Sequence, residues 1–366
     1  MTTVRDVLLF FAGALVVASV VISAISTVVV PRGVPVRLSR AVFLSVRRLI
    51  LLRTRFQRRY EERERVLAYY APLSLMVLPM VWLTVVLLGY TAMYWALGER
   101  PLREAFFLSG SSGLTLGFTH PPDLPTTALA FTEAAVGLAL LALLISYLPT
   151  MYTAFGRREA LVSITSTYAG TPPSGTTMLE RFSLIRGLEE LEERVWEPWL
   201  QGFVDIEETH TSLGALALFR SPSPSRSWVT AAGSVLDAAS LLASSVDVED
   251  TASAQLCIRA GTLSLRAVST FFGIDFDPDP GPDDPISITR DEYDLAIEQL
   301  ARAGVPLQQD REAAWRSFAG WRVNYDTVLL ALAGFTQAPY APWSSDRSPA
   351  TLHRPPVLRP RRSNRG

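Results

Sequence analysis

Three apolar runs dominate the first 150 residues, at 7–30, 69–97 and 124–150. The first holds 24 residues without a charge, and a helix needs about 20 to cross a bilayer. A signal peptide has a shorter apolar core, about 7–15 residues, behind a basic start; here only Arg5 and Asp6 precede the run. The second run contains Trp82 and carries Tyr90, Tyr94 and Trp95 near one end, the placing of an interfacial aromatic belt. Pro72 falls in its first turn, whereas Pro79 and, in the third run, Pro149 predict kinks or breaks. From Met178 onward the pattern changes to apolar residues at three- and four-residue spacing. It predicts one long helix from 178 and further helices over 228–245, 252–272, 289–303 and 310–333, the fourth opened by a Thr289/Glu292 capping box. No strand alternation interrupts them. The fold class expected is an all-α membrane protein, with three transmembrane helices followed by a helical bundle.

Charge adds an orientation. The net charge is −1, but residues 32–65 hold eleven arginines against three glutamates, and Arg157 and Arg158 follow the third run. Short basic loops stay in the cytoplasm. The N terminus is therefore expected outside the inner (plasma) membrane, the 99–124 segment outside as well, and the C-terminal part in the cytoplasm. Within the basic connection, 40–59 mixes arginines with Val42, Phe43, Val46, Leu49, Ile50 and Leu51. That pattern fits an amphipathic helix on the anionic leaflet or an ordinary linker helix.

The candidate chemistry is sparse. A single cysteine, Cys257, excludes an internal disulfide and a cysteine metal cluster. The three histidines, His120, His210 and His353, are far apart, and neither a G-x-G-x-x-G nor a Walker loop is present. No enzyme activity, resident metal, cofactor or nucleic-acid partner is expected. The acidic stretch 275–285 lacks the ligand spacing of a calcium loop. "RSPSPSRS" at 220–227 reads as a linker, with phosphorylation the alternative, and the Pro/Arg/Ser-rich residues 337–366 read as a disordered tail.

The segment "SGSSGLTLGFTH", Ser109 to His120, is unlike the rest. It lies between two apolar runs, after a stretch with helix-forming character from Pro101. Irregular backbone at membrane depth survives only when buried in protein or lining a water-filled path. "SSGLTLGF" followed by "GLALLALLISYLP" resembles the span–pore-loop–span unit of the potassium channel superfamily. It is most similar to divergent bacterial members with an extra N-terminal span and a cytoplasmic C-terminal domain. The resemblance covers roughly residues 69–158. The family's filter, Thr-Val-Gly-Tyr-Gly, falls on Thr115, Leu116, Gly117, Phe118 and Thr119, so a glycine is replaced by Thr119 and the usual acidic residue after it by His120.

That resemblance implies a re-entrant pore loop, with pore helix and filter at 101–120, and a homotetramer, since one loop supplies a quarter of a filter. It implies a permeant monovalent cation, K⁺ first, whose hydration is replaced by backbone carbonyls. Loss of glycine at Thr119 is expected to relax the outer end of the filter and leave only a modest preference for K⁺. Ser112, His120, Glu133 and Gly137 are the residues expected to support or gate the pore. Glu133 is open to three readings: bracing the filter through Ser109, Ser111 or Ser112, facing the cavity, or standing buried among helices. Gly137 matches the family's inner-helix hinge, with close helix packing as the alternative. The domains expected are an N-terminal span (1–31), a basic cytoplasmic linker (32–68), a pore domain (69–158), a cytoplasmic helical domain (159–336) and the tail. The partners are the lipid bilayer, further copies of the chain, and a cytoplasmic partner the residues do not specify. The rival function is a non-conducting membrane scaffold or signalling protein acting through the helical domain.

Overall fold

The computed structural model describes residues 4–28, 37–54, 66–98 and 101–347. Arg32, the arginines between 55 and 65, and the tail from 348 on lie outside the described residues. All regular structure within them is helical, apart from an isolated bridge between Val246 and Leu307. The chain forms two compact units, Met1–Thr153 and Ala154–Gly366.

The first unit holds α1 (Val4–Val28), α2 (Arg37–Thr54), α3 (Tyr70–Leu97), α4 (Leu102–Gly113) and the larger part of α5 (Leu124–Ala169). α1, α3 and α5 are long and apolar enough to cross a membrane. α5 is not ended by Pro149 but runs on as helix to Ala169. α1 and α3 meet closely at two glycines: a Cβ on Gly13 would fall 2.5 Å from the Gly89 carbonyl oxygen. Small residues let apolar helices make the contact that lipid cannot drive hydrophobically. α2 buries Val42, Val46 and Ile50, four residues apart, on α1 and α3. Its Ser39 hydroxyl reaches Thr27 (2.9 Å) and Ser23 (3.2 Å) of α1. Protein thus takes up much of its apolar stripe, and Leu49 and Leu52 remain exposed.

The second unit holds α6 (Gly175–Ile185), α7 (Glu197–Ser212), α8 (Trp228–Ser245), α9 (Ala252–Phe272), α10 (Arg290–Arg302), α11 (Arg311–Arg322) and α12 (Asp326–Thr336). α8 is buried on every side except at Ala243, the sign of a helix at the centre of a bundle. Around it lie Phe182, Trp196, Trp199, Phe203, Phe318 and Tyr325, all in one core cluster. Caps begin the helices where polar residues predict: Ser227 for α8, the Thr289/Glu292 box for α10, Asp310 for α11.

Two expected helices are divided. The long helix from 178 ends at Ile185, because Gly187 turns the backbone to φ 102°. It resumes through a π turn, Glu192–Trp196, where Pro198 offers no N–H to the normal ladder. Residues 310–333 form α11 and α12, broken at Val323 to Tyr325 so that Asp326 turns back onto Arg322. Residues 338–347, read as part of a disordered tail, pack onto the bundle with Ala341 and Ser344 buried. Arg347 there pairs with Glu292 at 2.8 Å and holds that carboxyl down at about 2.

Arg158, read from its place after the third run as part of a basic cytoplasmic loop, is buried in the second unit. Its guanidinium donates to the carbonyls of Leu216 (2.9 Å) and Phe219 (2.8 Å), pairs with Glu159, and stands 3.2 Å from His210 Nε2. An arginine only donates, so Nε2 is the acceptor and His210 is neutral. Burial first, and Arg158 second, hold its protonation well below the usual range. Below about pH 6.5 an unfolded histidine binds a proton that the folded unit refuses, so stability falls as pH falls. His210→Gln keeps an acceptor for Arg158 and is expected to lose less stability between pH 7 and 5. Melting midpoints of the full chain, wild type against variant, check this; equal losses would remove His210 from the account.

Candidate functional site

The candidate site is α4 and the irregular segment after it, with α3 and α5 beside them. α4 runs from Leu102 to Gly113 behind Pro101, which fits the first turn of a helix. Its end follows the geometry of a Schellman motif: Thr115 N–H donates to the Ser112 carbonyl (3.0 Å) and Leu116 N–H to the Ser111 carbonyl (2.8 Å). The residue turned left-handed in this motif is usually glycine. Here it is Thr115, with φ 55°. A β-branched side chain is an outlier there, at a cost on the order of 1–3 kcal/mol.

The sign of φ then alternates, with Gly117 at 71° and neither Leu116 nor Phe118 in the left-handed region. Such alternation gathers successive N–H groups on one side of the backbone. The Ser111 carbonyl accepts from both Leu116 and Gly117 (3.2 Å), and the Ser111 hydroxyl accepts from Thr119 N–H at 3.0 Å. Among the described residues no donor reaches the carbonyls of residues 114–118. Thr119, where loss of a glycine is expected to relax the backbone, is not left-handed. Strain sits at Thr115 instead.

Glu133 of α5 is fully buried. Its Oε1 lies 2.5 Å from the Ser109 hydroxyl, which is also 2.9 Å from the Leu87 carbonyl of α3. One side chain of α4 thus meets both flanking helices. Glu133 Oε2 and the neighbouring Tyr94 hydroxyl make no hydrogen bond of good geometry. Of the three serines weighed as its partner, Ser109 is the one placed there; Ser111 serves the segment behind, and Ser112 lends its carbonyl to Thr115. The cavity-facing reading of Glu133 does not fit its burial.

Gly137 stands one turn further along α5. A Cβ there would fall 2.2 Å from the Gly113 carbonyl oxygen, and a Cβ on Gly113 would meet Glu133 Oε1 at 3.0 Å. In this conformation Gly137 is a contact glycine, and α5 passes through it as regular helix. Asp123 caps α5, accepting from Thr126 N–H (2.9 Å) and Oγ1 (2.5 Å), which holds its carboxyl below the usual range.

Around this framework the chain leaves apolar surface uncovered. Leu116 and Phe118 are 61% and 60% exposed, and His120 is exposed beside them. α5 shows Phe131, Leu138, Leu141 and Ile145. Gly113 was not singled out from the sequence, and neither the left-handed backbone of Thr115 nor the hold of Ser111 on the loop was expected; the serine and glycine run "SGSSG" is their one signal. No cluster of metal-binding side chains occurs among the described residues. In the acidic loop, Asp277 and Asp284 are spent on backbone N–H groups of that loop. No family model matches the chain, and neither a curated protein nor a solved structure proves similar to it.

Proposed function

We propose that the chain is one subunit of a homotetrameric cation channel, with K⁺ the preferred ion, whose filter is built from Thr115, Leu116, Gly117, Phe118 and Thr119. One observation carries the reading. Between two helices long enough to span a membrane, a short helix leads into backbone of alternating φ, with the N–H groups of Leu116, Gly117 and Thr119 tied to Ser111 and the carbonyls of residues 114–118 free. Free carbonyls in a row are what a dehydrated cation requires, and a single chain can offer only one side of the ring.

The uncovered surface supports the same reading. Leu116 and Phe118 stand exposed beside polar backbone, which suits the meeting of four copies around an axis better than contact with lipid. Glu133 and Ser109 brace α4 between α3 and α5, and the Gly113–Gly137 contact sets its depth. In this arrangement the loop re-enters from outside. The basic residues put the second unit in the cytoplasm, where it assembles or regulates the tetramer. The experiment is cation flux from liposomes holding the purified full chain. K⁺ is expected to pass, more readily than Na⁺ but without strong exclusion of it. Tight liposomes with no cation flux contradict the proposal and leave the scaffold reading in its place.

A further inference from the structure

We propose that Ser111 is the positioning residue of the filter, setting the outer end of the carbonyl row through its hydroxyl and the inner end through its main chain. The inference rests on the channel reading for its consequence, but not for its geometry. Ser111 is 1% exposed, in the last turn of α4. Its carbonyl gathers the N–H groups of Leu116 and Gly117. Its hydroxyl accepts from Thr119 N–H at 3.0 Å and lies 3.5 Å from the Thr119 carbonyl oxygen. Three of the loop's amides therefore end on one residue.

A hydroxyl suits this place because it accepts and donates from one short arm. With its amide satisfied from behind, Thr119 needs no left-handed turn to stay in line, so a β-branched residue is tolerated where glycine would be expected. Its neighbours add to the effect: Pro121 and Pro122 bring no N–H of their own, and Thr119 is the amide that donates to the hydroxyl. Main chain and side chain of Ser111 can also be separated by mutation. Ser111→Ala removes the hydroxyl and leaves the carbonyl, so it releases Thr119 while Leu116 and Gly117 stay held. Ser111→Thr restores the hydroxyl.

The test has two readouts on the full chain in lipid nanodiscs and liposomes. In hydrogen exchange at single-amide resolution, Ser111→Ala is expected to speed Thr119 on the order of tenfold, the worth of about one hydrogen bond, with Leu116 and Gly117 unchanged and Ser111→Thr close to wild type. In bi-ionic reversal potentials, Ser111→Ala is expected to lower the K⁺/Na⁺ permeability ratio several-fold, and Ser111→Thr to recover it. Thr119 exchange equal in wild type and Ser111→Ala would overturn the proposal, as would an unaltered permeability ratio in a conducting variant. A wild type that passes no ions refutes the channel reading, and the exchange experiment then still decides whether Ser111 holds the loop.

Discussion

Arg322→Met is expected to destabilise the second unit by about 3–5 kcal/mol, the usual penalty for removing one partner of a buried ion pair. Arg322 is fully buried and ion-paired to Asp237 of α8 and, at 2.7 Å, to Asp326 of α12, while it donates to the Trp343 carbonyl at 2.6 Å. Burial opposes its charge, but the two aspartates outweigh that and hold it protonated. Tyr325 Oη donates to Asp237 at 3.0 Å, and Ser287 binds Asp326 through both its N–H and its hydroxyl. Methionine would fill the space and leave two buried carboxylates facing each other without a cation. The triple variant Arg322→Met, Asp237→Leu, Asp326→Leu removes every charge and is expected to regain much of the loss. Six of the eight tryptophans belong to the second unit, so denaturant titration followed by tryptophan fluorescence reads the change. A single variant as stable as wild type would mean that the network carries no stability.

Gly137→Ala is expected to cost about 1–3 kcal/mol, the range for forcing a methyl group into a packed contact. The added carbon would stand 2.2 Å from the Gly113 carbonyl, so α4 must move off α5. Ser109 would be carried away from Glu133, and the segment that follows would lose its fixed start. Ion flux is expected to drop with the melting midpoint. Gly156, on the same helix, has no atom within 4 Å of its would-be Cβ. Gly156→Ala is therefore expected to be neutral or, by helix propensity, stabilising by up to about 1 kcal/mol. If Gly137 matters only as a hinge, its alanine variant will melt like wild type while its gating changes. If it matters as a contact, the midpoint falls.

Elements whose ends carry their own chemistry were legible in the sequence. The three apolar runs are helices within a few residues of their expected start, and α8 and α9 have the boundaries that spacing predicts. Thr289 and Glu292 announce α10 because a capping box is a local device that no distant contact can overrule. What stayed hidden depends on contacts between distant parts. Apolar spacing continues from 310 to 333 without a break, but the break at Val323 to Tyr325 falls where Arg322 and Tyr325 both reach Asp237 of α8, more than eighty residues away. Arg158 follows an apolar run and resembles an interfacial anchor. Its partners, Leu216, Phe219 and His210, are more than fifty residues away.

The candidate site divides in the same way. Glu133 stood out as a lone charge in a span, and Ser109 was among three serines that spacing could not separate. A motif comparison directs the eye to Thr119, where a glycine is missing. The backbone puts its unusual conformation at Thr115 instead, since the end of α4 needs a left-handed residue and the chain supplies threonine. Ser111 was weighed only as a partner of Glu133, because its part in the loop is played largely by main-chain atoms, which have no signature in a sequence.

The most direct measurement uses the chain's one cysteine, Cys257, which is buried and so spared by a charged thiol reagent added outside. In His120→Cys the new thiol stands in an exposed position just beyond the filter residues. Liposomes containing wild type or His120→Cys are loaded with K⁺ and their efflux is followed before and after the reagent. Both proteins are expected to pass K⁺ before treatment, and after it only the His120→Cys flux is expected to stop. Absence of flux in both, or flux through the labelled variant as fast as before, would contradict a pore whose filter is residues 115–119.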